Sequence, residues 1–79
     1  RDSPNPAIKH IKIKSGYIPQ KNITYKLIDI NGKLLFRREK FNENQINEYI
    51  ALGNVNSDLI ILHVYDGNEL ISIKKILIK

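Results

Sequence analysis

The sequence predicts an all-β protein, an antiparallel β-sandwich of about six to seven short strands. Fifteen of the 79 residues are isoleucine, whose β-branched side chain favours strands, whereas alanine, the best helix former, occurs only twice. Short apolar runs alternate with polar residues and are separated by turn signals such as Asn31-Gly32. Together these features indicate strands joined by tight turns.

Three strands are predicted in the first half of the chain. Residues 1–6 contain two prolines, which lack the N–H that a central strand needs, so we expect an extended lead-in or edge. Apolar and polar residues then alternate over residues 7–14, which predicts a half-buried strand. Residues 23–30 predict a second strand. The Asn31-Gly32 hairpin signal, in which both residues tolerate positive φ, joins it to a third strand over residues 33–40.

Residues 41–53 fit two interpretations. Asn44 could cap a short helix that ends at Gly53, or a short strand could form around Ile46, and we favour the strand. The following run, residues 59–65, predicts a strand buried on both faces.

A second hairpin and a closing strand end the predicted sandwich. Asp66-Gly67-Asn68 predicts the hairpin, and residues 70–78 predict the strand that follows it.

Length and composition limit the class of protein. We expect a single domain spanning residues 1–79, with a net charge of +5. A chain of this size buries only ~60% of its unfolded surface, which leaves little room for a deep substrate cavity. The sequence has no cysteine, so it predicts neither disulfides nor a thiolate metal site. No apolar run approaches the ~20 residues that cross a bilayer, so we expect no membrane insertion.

The polar residues form no pattern typical of a catalytic site. His10 alternates with lysines on a polar strand face and His63 lies within an apolar run, so we interpret them as exposed and partly buried side chains. Asp29 and Asp66 lie beside the predicted hairpins, where a carboxylate commonly bonds its own turn. We find no phosphate loop and no nucleophile elbow. The sequence therefore predicts no catalytic residue, no metal ligand and no cofactor, and we do not expect an enzyme.

Basic and aromatic residues suggest two other classes of binding protein. Basic residues cluster at residues 9–14, 37–40 and 74–79, but aromatic side chains are not interleaved with them, so we do not expect nucleic acid as a partner. The alternative that stays open is an Ig-like adhesion or carbohydrate-binding module of a bacterial surface protein. Such a module would use exposed aromatic side chains, for which Tyr17 and Tyr49 are the candidates.

Three segments in one order carry a resemblance to a known family. They are SPNPA at residues 3–7, YKLIDINGKLL at residues 25–35, and the ending from Asp66-Gly67-Asn68 to KKILIK at residues 74–79. In this order they closely resemble the type A C-terminal sorting domain of the Bacteroidetes type IX secretion system, over nearly the whole chain. One departure is the entry into the penultimate strand, where the family usually has a Gly-x-Tyr-like sequence and this chain has Asp58-Leu59-Ile60.

The resemblance implies an Ig-like β-sandwich at the end of a larger exported protein, which fits a chain that does not begin with Met. It implies a non-catalytic secretion signal that directs a passenger protein through the periplasm to the cell surface or the extracellular medium. The implied partners are the outer-membrane type IX translocon, its β-barrel shuttle protein and a sortase-like peptidase. We expect the domain to act as a monomer.

The resemblance also indicates which residues contact these partners, since loops on a rigid sandwich are well placed for recognition. We expect partner contacts at the opening Pro-Asn-Pro segment, the two hairpins and the terminal strand. Each position also has a structural interpretation, either in forming a turn or in protecting a sheet edge. The expected residues are Pro4, Asn5, Pro6, Asp29, Asn31, Gly32, Lys33, Gly67, Lys74, Lys75 and Lys79.

Overall fold

A computed structural model describes residues 10–53 and 55–78, so the predictions at Pro4, Asn5, Pro6 and Lys79 lie outside the described residues. The described residues contain six strands and no helix. They are β1 (His10–Ser15), β2 (Ile23–Ile28), β3 (Leu34–Lys40), β4 (Ile46–Ala51), β5 (Leu59–Asp66) and β6 (Glu69–Leu77). Within these two stretches no helix has the length and hydropathy needed to span a membrane.

The strands form two antiparallel sheets packed as a small Ig-like sandwich, which confirms the predicted fold class. One sheet has the strand order β1-β4 and the other has the order β3-β2-β5-β6. The strand interpretation of residues 41–53 is correct and the helix interpretation is wrong. Burial alternates along β4, with Ile46, Glu48 and Ile50 buried and their neighbours exposed, which is the period of a strand.

The hydrophobic core lies between the inner faces of the two sheets. On β5, Ile60, Leu62 and Val64 are buried, whereas the residues between them are only half-buried. The prediction that this strand is buried on both faces is therefore wrong for its outer face. Among the described residues, no second layer of strands covers that side of the sheet. Within residues 10–53 and 55–78 the buried apolar side chains are Ile11, Ile23, Tyr25, Leu27, Ile46, Ile50, Leu52, Ile60, Leu62 and Val64.

The two lateral edges of the sandwich differ. At one edge, Arg38 of β3 reaches β4, where its Nη1 donates hydrogen bonds to Glu48 Oε1 at 2.6 Å and to the Tyr49 carbonyl at 3.0 Å. Lys40 adds a contact of 4.0 Å from its Nζ to Glu48 Oε2. These contacts close this edge. At the other edge β1 and β6 do not pair, and an open groove lies between them.

The hairpin between β2 and β3 is confirmed, but its turn differs from the predicted one. The Asp29 N–H donates to the Lys33 carbonyl at 2.9 Å, and the Gly32 N–H donates to the Asp29 carbonyl at 3.0 Å. Only Gly32 has a positive φ, of 86°, whereas Asn31 does not. The loop is therefore the three-residue type, with a glycine in the left-handed conformation at its third position, rather than a two-residue Asn-Gly loop.

The hairpin between β5 and β6 has the predicted position. Asp66 pairs with Glu69, so Gly67 and Asn68 form a two-residue loop. Gly67 has a φ of 61° at the first loop position, where this kind of hairpin favours glycine.

An extra residue near the start of β6 forms a β-bulge. Tyr65 pairs with Leu70 and Val64 pairs with Ser72, which leaves Ile71 without a partner. Side chains alternate between the two faces along a strand. One extra residue therefore moves each later side chain to the face opposite the one it would otherwise occupy.

The bulge decides where the remaining residues of β6 lie. Lys74 is opposite Leu62 and so belongs to the inner face, whereas Ile73 is opposite His63 and belongs to the outer face. Leu77 also lies on the outer face, and both Ile73 and Leu77 are largely exposed.

Two isoleucine substitutions test this placement. Ile60 has no exposed surface, so we expect Ile60→Ala to lower the free energy of unfolding by about 2–5 kcal/mol. Ile73 is 59% exposed, and Ile73→Ala should cost under about 1 kcal/mol. Chemical denaturation measures both values. Ile60→Val, expected to cost about 0.5–1.5 kcal/mol, provides the comparison if Ile60→Ala does not fold. Equal losses for the two alanine variants would contradict the placement.

Candidate recognition surface

One end of the four-stranded sheet brings several of the predicted residues together. Leu34, Ile28, Ile61 and Lys75 lie opposite one another in a row across β3, β2, β5 and β6. Neighbouring strands are about 4.8 Å apart, so the backbones of Ile28 and Lys75 are roughly 10 Å apart. Because Ile28 directly precedes the turn at residues 29–33, this turn and the C-terminal part of β6 share one end of the sheet.

The turn at residues 29–33 is held in shape by the Asp29 side chain. Its Oδ1 accepts hydrogen bonds from the backbone N–H groups of Asn31 and Lys33, both at 2.9 Å. This confirms that Asp29 bonds its own turn. The Asn31 and Lys33 residues are exposed on this fixed backbone.

Apolar side chains are exposed beside this turn. Ile30 and Leu34 are 69% and 50% exposed, and Leu77 at the end of β6 is 66% exposed. Half-buried aliphatic residues of β2 and β5 lie between them. We call this surface the outer patch, and it consists of Ile28, Ile30, Leu34, Leu59, Ile61, Ile73 and Leu77.

Sequence reasoning missed the outer patch because it treated these aliphatic residues as core. A signal was nevertheless present. The continuous apolar run at residues 59–62 contains more apolar residues than a strand with one buried face requires.

The two predicted lysines on β6 lie on different faces. Lys75 is opposite Ile61 on the outer face, beside the outer patch, whereas Lys74 is opposite Leu62 on the inner face. Both are exposed.

Gly67 lies at the opposite end of the sheet from the turn at residues 29–33. Asp66 pairs with Ile23 at the start of β2, so the β5–β6 hairpin is next to the beginning of that strand. The Gly67 N–H donates to the Asn22 carbonyl at 2.8 Å. A Cβ atom at Gly67 would lie 2.7 Å from Lys21 Cδ, so the hairpin packs closely on the loop that precedes β2.

Asp66 fastens that loop to the hairpin. Its Oδ2 accepts hydrogen bonds from the Tyr17 hydroxyl at 2.6 Å and the Gln20 N–H at 2.9 Å, and its Oδ1 accepts one from the Lys21 N–H at 2.7 Å. The expectation that Asp66 bonds its own turn is therefore wrong. Asp66 is buried on the inner face of the sheet, at the end of β5. Among the described residues, its only hydrogen-bond donors come from the β1–β2 loop.

These hydrogen bonds shift two pKa values in opposite directions. The Tyr17 hydroxyl, followed by the Gln20 N–H, stabilises the carboxylate and holds the pKa of Asp66 below its usual value. The hydrogen bond to Asp66 raises the pKa of Tyr17 to about 12, because losing the phenolic proton would leave two negative charges in contact.

The two tyrosines expected for glycan binding do not form one surface. The Tyr17 hydroxyl is bound to Asp66, whereas the Tyr49 ring stacks on the His10 ring with centroids 4.4 Å apart. Tyr49 and His10 belong to the two-stranded sheet.

The histidines do not share a site either. His10 is exposed on β1, as expected, and His63 is half-buried on β5 in the other sheet. The His63 Nδ1 atom is buried and has no hydrogen-bond partner among the described residues. Within residues 10–53 and 55–78 no three His, Cys, Asp or Glu side chains come together as a metal site would require.

Comparison with known protein families finds a match that covers nearly the whole chain. Residues 3–79 match the family described as the secretion system C-terminal sorting domain. Searches of the curated proteins and of the solved structures found no match. The matched range includes all six strands of the sandwich.

The fold is that of a small all-β sandwich domain. The chain belongs to the secretion system C-terminal sorting domain family, as the resemblance of its ordered segments implied. It is therefore a secretion signal of the type IX system, a class of domain that is not catalytic. Membership of this family implies export to the cell surface or the extracellular space.

Acid sensitivity tests the contacts of Asp66. Its folded-state pKa is lowered, so the ionised carboxylate stabilises the fold at neutral pH, and this contribution is lost as pH falls below about 4. We expect Asp66→Asn to lower the melting temperature at neutral pH and to flatten its fall towards acid pH. Thermal unfolding across a pH series measures both effects. Asp58→Asn, at an exposed aspartate, is the control and should leave the profile unchanged. An unchanged acid profile in Asp66→Asn would contradict this role.

The alkaline side of the same profile tests Tyr17. Its folded-state pKa is raised, so its contribution is present below the unfolded value of about 10 and declines as pH rises from there towards about 12. Tyr17→Phe should reduce the alkaline decline in melting temperature, and the part that persists should come from Tyr25, because burial raises the pKa of Tyr25 to about 12 as well.

A pair of glycine substitutions tests the structural interpretation of Gly67. Gly67→Ala places a side chain at positive φ and against Lys21, so we expect a loss of about 1–2 kcal/mol in the free energy of unfolding. Gly16→Ala meets no atom within 4 Å and should change it by less than about 0.5 kcal/mol. Chemical denaturation compares them, and equal effects would count against a structural role for Gly67.

Proposed function

We propose that the outer-membrane type IX translocon and its β-barrel shuttle protein recognise this domain through the outer patch and the adjacent turn at residues 29–33. The domain spans residues 1–79, acts as a monomer and follows a passenger protein that reaches the periplasm first. A sortase-like peptidase removes it after export. The observation that carries the proposal is an exposed apolar surface beside a rigid turn, on a domain whose family is a secretion signal.

The outer patch has the character of a protein-docking surface. Contiguous exposed apolar surface is uncommon on monomeric domains, and where it occurs it commonly marks an interaction site. Leu34, Ile73 and Leu77 supply the exposed aliphatic area. Lys33 and Lys75 place positive charge at its border, which favours a partner with acidic residues around an apolar centre.

The turn supports recognition because its backbone is already ordered. Binding to a preorganised loop loses less conformational entropy than binding to a mobile one. Asp29 and Gly32 shape the turn, while Asn31 and Lys33 are free to present their side chains.

The other predicted positions take different roles in this proposal. Pro4, Asn5, Pro6 and Lys79 remain predicted partner contacts. Gly67 holds the distant hairpin on the β1–β2 loop, and Lys74 borders the groove on the inner face.

A secretion assay tests the proposal. Residues 1–79 are fused behind a reporter that carries its own N-terminal signal, in a bacterium with a working type IX system. We expect the reporter at the cell surface or in the medium. Ile73→Glu should reduce the exported fraction about tenfold or more, because burying an unpaired carboxylate at an interface costs at least about 1.4 kcal/mol.

Ile18→Glu is the matched control. Ile18 is also an exposed isoleucine, at 66%, but it lies in the β1–β2 loop at the other end of the domain, so export should continue. Circular dichroism of the purified domains shows whether each variant is folded. A folded wild-type fusion that stays in the periplasm would overturn the proposed function. Normal export of folded Ile73→Glu would overturn only the role of the outer patch.

A further inference from the structure

A groove of about 780 Å³ runs between β1 and β6 at the open lateral edge of the sandwich. Its floor is apolar and is formed by Ile11 and Ile13 of β1, Leu62 and Val64 of β5, and Ile76 of β6. Because strands form both long walls, the groove suits an extended chain better than a compact ligand.

The groove exists because the two sheets have unequal widths. Four strands of one sheet face only β1 and β4 of the other. Arg38 connects β3 to β4, so the narrow sheet, β1-β4, lies over the β3 side of the four-stranded sheet. At the opposite side, β6 extends beyond β1. The inner face of β6 consequently has Ser72 and Lys74 exposed. Among the described residues, no strand pairs with the second edge of β1.

The border of this groove is positively charged. Lys12 and Lys14 lie along β1, and Lys74 and Lys75 lie along β6. No acidic side chain among the described residues lines the groove. Lysines at a strand edge can serve only to prevent aggregation. Here, however, four of them surround an apolar floor next to the unpaired second edge of β1, an arrangement that can also select a ligand.

We propose that this groove binds an extended acidic segment of a partner protein, which pairs with the open edge of β1 and becomes the third strand of the narrow sheet. Alternate side chains of a strand point to opposite faces. One set would pack on the apolar floor while the other set reaches Lys12 and Lys14. A segment of alternating apolar and acidic residues satisfies both requirements, with backbone hydrogen bonds providing affinity and charge providing selectivity.

Charge argues against two other occupants. The segment at residues 1–9 contains Arg1 and Lys9 against the single acid Asp2, and its two prolines lack the N–H groups that strand pairing needs. A second copy of the chain carries the same net charge of +5 and would be repelled. The groove meets the outer patch only along β6, so this inference stands whether or not the outer patch is the surface recognised in secretion.

A peptide-binding experiment tests the inference with the 79-residue chain. The probe is a short, capped, fluorescent peptide of alternating valine and glutamate, and binding is measured by fluorescence anisotropy. We expect saturable binding that weakens as salt is added. A peptide in which lysine replaces glutamate should not bind. Lys12→Glu combined with Lys14→Glu should weaken binding about tenfold or more.

Two controls separate strand pairing from simple charge attraction. Arg37→Glu combined with Lys21→Glu changes the net charge equally but alters exposed basic residues that neither line the groove nor border the outer patch, so it should leave affinity within about twofold. A glutamate-valine peptide that is N-methylated on alternate residues keeps its charge but cannot pair along that edge, and it should not bind.

Peptide binding tests the groove independently of secretion. Binding that requires Lys12, Lys14 and an unmethylated backbone supports it. No saturable binding at low salt would overturn it. Binding that survives N-methylation, or that falls equally in both double variants, would also overturn it by showing a non-specific cationic surface. If the protein binds the peptide but its fusion stays in the periplasm, the groove proposal would stand and the proposed function would be overturned.

Discussion

The register of β6 on β5 determines what this domain presents to other molecules. The unpaired Ile71 shifts the alternation by one residue, which sends Ile73 and Leu77 to the outer face and Lys74 to the inner face. Without the bulge, the alternation of β6 would be reversed, and Ile73 and Lys75 would face inward. The inserted residue therefore adds exposed apolar side chains to the outer face of β6 and places a lysine on the side of the sheet that the two-stranded sheet leaves uncovered.

The rest of the sandwich keeps these surfaces in place. At one end, the buried carboxylate of Asp66 fixes the β1–β2 loop through three hydrogen bonds, and at the other end Asp29 fixes a turn through its own backbone. Arg38 connects β3 to β4 at one lateral edge, whereas the groove lies at the opposite edge. A small domain without disulfides thus reaches a defined shape through charged side chains that each accept or donate several hydrogen bonds.

Sequence patterns predicted most of the strands because alternation and turn signals act over a few residues. They were ambiguous around Ile46, Tyr49 and Ile50, whose spacing fits a short helix as well as a strand, and only pairing with β1 selected the strand. They predicted a hairpin at Asn31-Gly32 but not its three-residue loop, because loop length depends on the register of the strands it joins.

The sequence by itself determined the all-β class, the positions of both hairpins and the membership of a secretion-signal family, since these depend on composition and on ordered short segments. Tertiary structure decided which side chains are displayed. The partners of Asp66 are distant in the sequence, and the outward position of Ile73 depends on a bulge that no local signal marks. An apolar residue in a strand looks the same in sequence on either face, and only its register against the neighbouring strand determines whether it is buried or exposed.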